Sequence, residues 1–189
     1  MEDLSGRHYK DRMSENNPDG PVGTESAPSA QAGGILEIEA FRVALAPGRR
    51  LIGIDVGTKT LGLALSDVGR MIASALETIR RTKFKADMAR LLGHADEHGV
   101  GGFVVGLPLN LDGSKGPRAQ ASRAFAHNLA LAAARPVLLW DERLSTAEAE
   151  RMLIEADTSR RRRAEVIDKL AATIILQGAL DRMQGMGGA

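Results

Sequence analysis

The chain has 189 residues, a formal net charge of +1 and no cysteine. This length allows one domain with a single hydrophobic core and a tail. The lack of cysteine excludes disulfide bonds and thiolate metal ligands, and it favours a reducing compartment such as the cytoplasm. No apolar run approaches the ~20 residues that a membrane span requires, so we expect no membrane partner.

The first 34 residues differ in composition from the rest of the chain. They carry six acidic and three basic side chains, are rich in Ser, Gly, Pro and Asn, and offer almost no apolar residues. Such a segment cannot offset the entropy lost on ordering, so residues 1–34 are predicted to be a disordered tail. Residues 35–189 are then the folded domain, whose mildly basic charge suits a polyanionic partner.

The hydrophobic pattern after residue 34 alternates between strand and helix signals. Ile35–Leu45 is amphipathic and leads into the domain. In chain order the pattern then predicts strands over Leu51–Val56, Leu61–Ser66 and Ile72–Thr78, a helix over Lys85–His98, a strand over Gly102–Leu107, a helix over Arg118–Ala134, a strand over Pro136–Trp140, and helices over Thr146–Glu155 and Ala164–Met183.

The local chemistry of these segments predicts how the strands pair. The glycine turn after the first strand favours antiparallel pairing of the first two strands. The continuous apolar run of Gly102–Leu107 is typical of a central parallel strand that is covered on both faces. The order predicts an α/β fold, a mixed five-stranded sheet with helices on both faces.

Acidic residues lie where an open sheet of this kind binds its ligands, at the carboxyl ends of strands. Asp55 ends the first strand, Asp141 and Glu142 follow the last, and Asp168 lies near the start of the final helix. Neighbouring strand residues point to opposite sides, so we expect only one of Asp141 and Glu142 to face a metal, and we favour Glu142. Hard oxygen ligands without cysteine predict Mg²⁺ or Mn²⁺.

Ordinary structural roles for these acids remain open. Asp55 suits a turn. Asp168 lies on a helix face that is expected to be buried, where a carboxylate is costly unless it is paired or bound to metal. A salt bridge from Asp168 to Arg143 or Lys59 is therefore an alternative to a metal.

The four histidines form no cluster with metal-ligand spacing. His94 and His98 share a helix face at i, i+4, which is only a weak indication of a zinc site. We expect both side chains to be exposed to solvent.

Several basic and amide side chains are candidates for contacts with a nucleic-acid backbone. Lys59 lies in the turn after Asp55, Asn110 lies in the loop after the central strand, and Arg143 follows the Asp141–Glu142 pair. The most concentrated charge in the chain is a run of four arginines, Arg160, Arg161, Arg162 and Arg163. Such a run suits phosphate binding, although charge runs are usually solvated surface.

Four linked motifs occur in order within residues 50–183. They are GIDVGTKT at Gly53–Thr60, VGLPLN at Val105–Asn110, DERLSTAEA at Asp141–Ala149 and DKLAA at Asp168–Ala172. Together they resemble the YqgF family of pre-16S rRNA nucleases, which is related to RuvC-type Holliday-junction resolvases. The resemblance implies a ribonuclease-H-like fold, which the predicted order of elements also matches.

The resemblance also implies metal-dependent cleavage of a phosphodiester. Asp55, Glu142 (or Asp141) and Asp168 would hold two ions roughly 3.5–4 Å apart. The implied substrate is the ribosomal RNA precursor, cleaved at the 5′ end of 16S rRNA, with a pre-ribosomal particle as a partner. In related resolvases an acid closes the strand that corresponds to Gly102–Leu107, and this chain has none there.

Other functions remain as alternatives. A DNA junction resolvase requires a symmetric dimer. A non-catalytic nucleic-acid-binding factor of ribosome assembly would use the same fold without its chemistry. An actin-like ATPase ranks last, because the chain is too short for a second phosphate-binding lobe. The sequence does not decide whether the substrate is RNA or DNA, nor does it decide the oligomeric state.

Overall fold

The structure, a computed structural model, describes residues 33–109, 116–144 and 160–187, without the side chains of residues 144 and 160–167. Nearly all of the predicted tail and the predicted helix Thr146–Glu155 lie outside the described residues. None of the described helices is long and apolar enough to cross a membrane.

The described elements follow the predicted order, with one addition at the start. They are β1 (Ile35–Leu36), α1 (Ile38–Ala44), β2 (Arg50–Val56), β3 (Thr60–Ser66), β4 (Ala73–Arg80), α2 (Phe84–Glu97), β5 (Val100–Leu107), α3 (Pro117–Ala133), β6 (Val137–Asp141), a 3₁₀ turn (Glu142–Leu144) and α4 (Arg160–Gly185). The amphipathic lead-in thus forms a short strand and a helix. A strand of two residues is too short to leave a periodic signal in the sequence.

The strands form one mixed sheet in the order β1-β6-β5-β2-β3-β4. β2 pairs antiparallel with β3, as the glycine turn predicts, and β5 lies parallel between β2 and β6. The predicted α/β class, a mixed sheet with helices on both faces, is confirmed. The sheet has six strands rather than the predicted five, because β1 pairs with β6 at the edge.

Helices cover both faces of the sheet and form two separate cores. On one face, α2 and α3 pack on the side chains of alternate strand residues such as Ile54 and Leu63. On the other face, α1 and α4 pack on a second set that includes Leu51 and Val104. Because strand side chains alternate, Asp55 points away from Ile54 and therefore toward the face that α4 covers.

Glycines allow α4 to lie directly on the sheet. A Cβ atom added to Gly53 would lie 2.5 Å from the Cβ of Leu176, and one added to Gly62 would lie 2.0 Å from the carbonyl oxygen of Asp168. Both separations are far below normal contact, so no side chain fits between α4 and strands β2 and β3. The position of Asp168 therefore depends on this close contact.

We predict that Gly62→Ala lowers the free energy of unfolding by about 1–3 kcal/mol, the usual cost of overpacking. The added methyl group would have to displace the backbone of α4 at Asp168. Gly93→Ala is the matched control, because nothing lies within 4 Å of its Cβ position and alanine favours a helix by up to about 1 kcal/mol. Urea unfolding measures both. Equal midpoints for Gly62→Ala and the unmutated chain would contradict the described contact.

Candidate active site

Three acidic residues lie near one another at the carboxyl edge of the sheet, on the face that α4 covers. Asp55 pairs with Gly62 across β2 and β3, and Gly62 lies against the backbone of Asp168. Glu142 follows β6, and its Oε1 lies 2.6 Å from the position of a Cβ on Gly106 of β5. Since β5 separates β2 from β6, the missing side chain of Gly106 leaves room for Glu142 to extend toward Asp55.

The three acids influence one another electrostatically. Burial raises the pKa of Asp55, the charge of Asp168 raises it further, and Arg118 opposes both effects. Burial also raises the pKa of Glu142 to about 7, with Asp55 and Asp141 contributing in the same direction and Arg118 opposing them. Asp55 is thus coupled to an acid on either side. Half-buried carboxylates in such an arrangement are stabilised by a bound cation.

Asp141 has a different environment from Glu142. Arg143 donates to Asp141 from Nε at 3.0 Å, from Nη2 at 2.6 Å and from its backbone nitrogen at 3.0 Å. The side-chain hydrogen bonds from Arg143 are the main reason that the pKa of Asp141 is lowered. The 3₁₀ turn that begins at Glu142 therefore directs the two neighbouring carboxylates to different partners: Asp141 to Arg143, and Glu142 toward Asp55.

Arg118 belongs to this group of charges, although sequence reasoning did not select it. It lies in the first turn of α3, directly after Pro117, the first residue of the helix. Its side chain is exposed. α3 follows β5, so its first turn lies at the same edge as the ends of β2 and β6. A basic residue in the first turn after a central strand was the signal available in the sequence.

The other predicted phosphate-binding residues are only partly described. Lys59 is exposed in the turn between β2 and β3. Arg81 holds this turn, since its backbone nitrogen donates to the carbonyl of Lys59 at 2.9 Å and its Nη1 donates to that of Gly57 at 2.7 Å. Asn110 and the side chains of Arg160–Arg163 lie outside the described residues.

Asp168 does not form the salt bridge that was the alternative to a metal. Within residues 33–109, 116–144 and 160–187, no ion pair joins it to Lys59 or Arg143. Its side chain is half-buried, as are those of the next three residues of the helix. The backbone of Asp168 lies against Gly62, and its charge acts on Asp55.

The carboxylates fit a hard divalent cation. Each offers oxygen ligands, the chain has no cysteine, and burial, followed by the charge of a neighbouring acid, raises the pKa of both Asp55 and Glu142. Mg²⁺ and Mn²⁺ prefer such ligands. Asp55, Glu142 and Asp168 are the residues that would hold the ions.

The chain is similar to proteins of known family. The family model described as RuvX, Holliday junction resolvase, matches residues 49–182. A protein of Beijerinckia indica is 59% identical over 149 residues, which cover 79% of this chain and 90% of that protein. One of Bradyrhizobium sp. is 62% identical over 133 residues, 70% of this chain and 83% of its own length. Both carry the name "Putative pre-16S rRNA nuclease".

A solved structure of Thermus thermophilus RuvC with a Holliday junction substrate is also similar, with a TM-score of 0.47 and 19% identity, covering 72% of this chain and 96% of that one. The resemblance drawn from the four sequence motifs is confirmed by the family match and by the identity to these relatives. The chain belongs to the YqgF family of nucleases, described by its family model as RuvX.

Proposed function

We propose that the protein is a metal-dependent nuclease that cleaves a phosphodiester of the 16S ribosomal RNA precursor, at its 5′ end, in the cytoplasm. The observation that carries the proposal is the group of Asp55, Glu142 and Asp168 at one sheet edge, where burial and then repulsion raise the pKa of the first two. The choice of RNA rests on the name that the relatives carry.

The carboxylates of Asp55, Glu142 and Asp168 hold Mg²⁺ or Mn²⁺ in this proposal. Bound there, such ions lower the pKa of an attacking water and stabilise the departing oxygen. The half-buried position of the three acids limits competition from bulk water. Gly106 keeps the space between Asp55 and Glu142 open, since any side chain there would meet Glu142.

Two arginines have separate roles beside the acids. Arg118 is exposed, and its charge acts on both Asp55 and Glu142, so its guanidinium is placed to bind the phosphate that enters between them. Arg143 is held by Asp141 and keeps that carboxylate away from the ions. Lys59, Asn110 and the four arginines at 160–163 are proposed to bind the nucleic-acid backbone farther along.

A DNA junction resolvase is the second candidate, because the family model is described as a Holliday junction resolvase. A cleavage assay distinguishes the two candidate activities. Its matched substrates are precursor 16S rRNA, single-stranded DNA and a four-way DNA junction, each with Mg²⁺ or Mn²⁺. We expect cleavage of the RNA and its loss with EDTA. Preferential cleavage of the junction supports the resolvase. Binding of RNA without any cleavage supports a non-catalytic assembly factor.

Asp168→Asn should abolish cleavage without unfolding the protein, because it keeps the volume of the side chain but removes a charge that a cation requires. In EDTA its thermal midpoint should equal or exceed that of the unmutated chain, since one source of repulsion on Asp55 is removed. Asp181→Asn, on the exposed end of the same helix, is the matched control and should retain full activity. A strongly lowered midpoint together with intact metal-dependent cleavage would remove Asp168 from the site.

The stability of the metal-free protein should fall as pH rises from about 4.5 to about 7. The pKa of Glu142 is raised from 4.5 to about 7, so the folded state binds this proton more tightly than the unfolded chain. The resulting stabilisation is complete below about pH 4.5 and is lost as pH rises through 7. Since Glu142 is partly solvated, we expect a change of about 1–2 kcal/mol.

Urea unfolding in EDTA at a series of pH values measures this change. Glu142→Gln should flatten the dependence of stability on pH over that range. Glu39→Gln, at an exposed residue of α1, should leave it unchanged. Adding Mn²⁺ at pH 8 should restore the stability of the unmutated chain. A flat profile for the unmutated chain would contradict the described environment of Glu142.

A further inference from the structure

A second group of metal-ligand side chains lies in the last turn of α2. His94, Glu97 and His98 each offer one ligand atom, and these atoms all lie within 4.8 Å of one another. The spacing i, i+3, i+4 places the three side chains on one face of the helix. His94 and His98 were expected to be exposed, but both are half-buried, and their rings stack with an interplanar angle of 3° and centroids 6.3 Å apart.

This group is separate from the acidic site. α2 packs on the face of the sheet that carries Ile54, whereas Asp55 points to the opposite face, under α4. His98 also lies two residues before the start of β5, whose other end lies beside Glu142. An ion bound by the histidines would therefore share no ligand with Asp55, Glu142 or Asp168.

A carboxylate selects the ring nitrogen of His94 that carries a proton. Nε2 of His94 is hydrogen-bonded to Oε2 of Glu77 on β4, and the other oxygen of Glu77 pairs with Arg90. Because a carboxylate accepts hydrogen bonds, the neutral tautomer that suits this contact has its proton on Nε2 and its lone pair on Nδ1. Histidines that bind metals typically have their second nitrogen held by a carboxylate in this way.

The second ring nitrogen of His94, Nδ1, lies near the carboxylate of Glu97. Nδ1 is buried without a hydrogen-bond partner among the described residues, and it lies 3.9 Å from Oε2 of Glu97. Two ligand atoms bound to one tetrahedral Zn²⁺ at 2.0–2.1 Å would be roughly 3.4 Å apart. The difference of about half an ångström is small for the side chain of Glu97, which is 68% exposed and free to rotate.

The backbone adds a favourable field. α2 ends at Glu97, His98 is its C-cap, and Gly99 turns the chain away with φ of +64°. Cations are stabilised near the carbonyl end of a helix, where the last C=O groups carry partial negative charge.

We propose that His94 Nδ1, the Glu97 carboxylate and the His98 imidazole bind one Zn²⁺-class cation, with water as the fourth ligand. Two imidazoles and one carboxylate suit Zn²⁺, Co²⁺ or Ni²⁺, whereas Mg²⁺ and Mn²⁺ prefer oxygen ligands alone. Through Glu77, the ion connects the end of α2 to the edge strand β4. The site does not depend on the proposed nuclease activity.

The test uses the full-length, untagged chain with Asp55→Asn and Asp168→Asn, which removes competing ions from the acidic site. Co²⁺ titration should give visible absorption typical of nitrogen ligands in four-coordinate geometry. Added Zn²⁺ should displace the Co²⁺ at one ion per chain and raise the thermal midpoint, while a hundredfold excess of Mg²⁺ should do neither. No Zn²⁺ binding, or displacement by Mg²⁺, would overturn the proposal.

Variants locate the ion. His98→Ala should abolish the Co²⁺ absorption, and Glu77→Gln should weaken Zn²⁺ binding about 10–100-fold, the usual effect of losing the carboxylate behind a ligand. His127→Ala, an exposed histidine on α3, is the matched control and should bind as before. Unchanged binding in His98→Ala would overturn the assignment. If His98→Ala fails to fold, Glu97→Gln takes its place, judged by the same absorption.

Discussion

The close contact between α4 and the sheet determines the geometry of everything that the acidic site requires. Gly53, Gly62 and Gly106 lie beneath this helix, and a Cβ on any of them would come within 2.0–2.6 Å of an atom of α4 or of Glu142. Their absence of side chains allows the backbone of Asp168 to lie over β3. It also lets Glu142 extend across β5. Carboxylates from distant parts of the chain come near enough to influence one another's charge because these positions of the sheet carry no side chains.

Bringing these acids together opposes folding unless something offsets the charge. Burial and repulsion raise the pKa of Asp55 and that of Glu142, so the metal-free site is most stable when it is protonated. Arg118 offsets part of the charge from the first turn of α3. The negative charge that Arg118 does not offset favours binding of a divalent cation. The same residues therefore link the stability of the protein to the proposed chemistry.

The fold was predictable where the sequence has a strong period. Strands β2, β3 and β5 and helix α2 lie within two residues of their predicted bounds, since apolar spacing and turn residues define them locally. β1 was not predictable, because its two residues are ordered by pairing with β6. The sequence suggested Asp55, Glu142 and Asp168 as one group from strand ends and one helix face. Arg118 had only the weak signal of a basic residue in the first turn after a central strand, because its role depends on where that turn of α3 lies relative to β2 and β6.

The histidine site on the opposite face of the sheet was also only partly predictable from the sequence. Their i, i+4 spacing is visible in the sequence, but the carboxylate that fixes the tautomer of His94 comes from Glu77, 17 residues earlier on β4. Only tertiary packing joins the two. With oxygen ligands under α4 and imidazoles at the end of α2, the two proposed sites differ in ligand chemistry and should select different ions. The sheet separates the two sites. An ion at the histidines would therefore connect α2 to the edge strand β4 through Glu77 and would share no ligand with the acidic site.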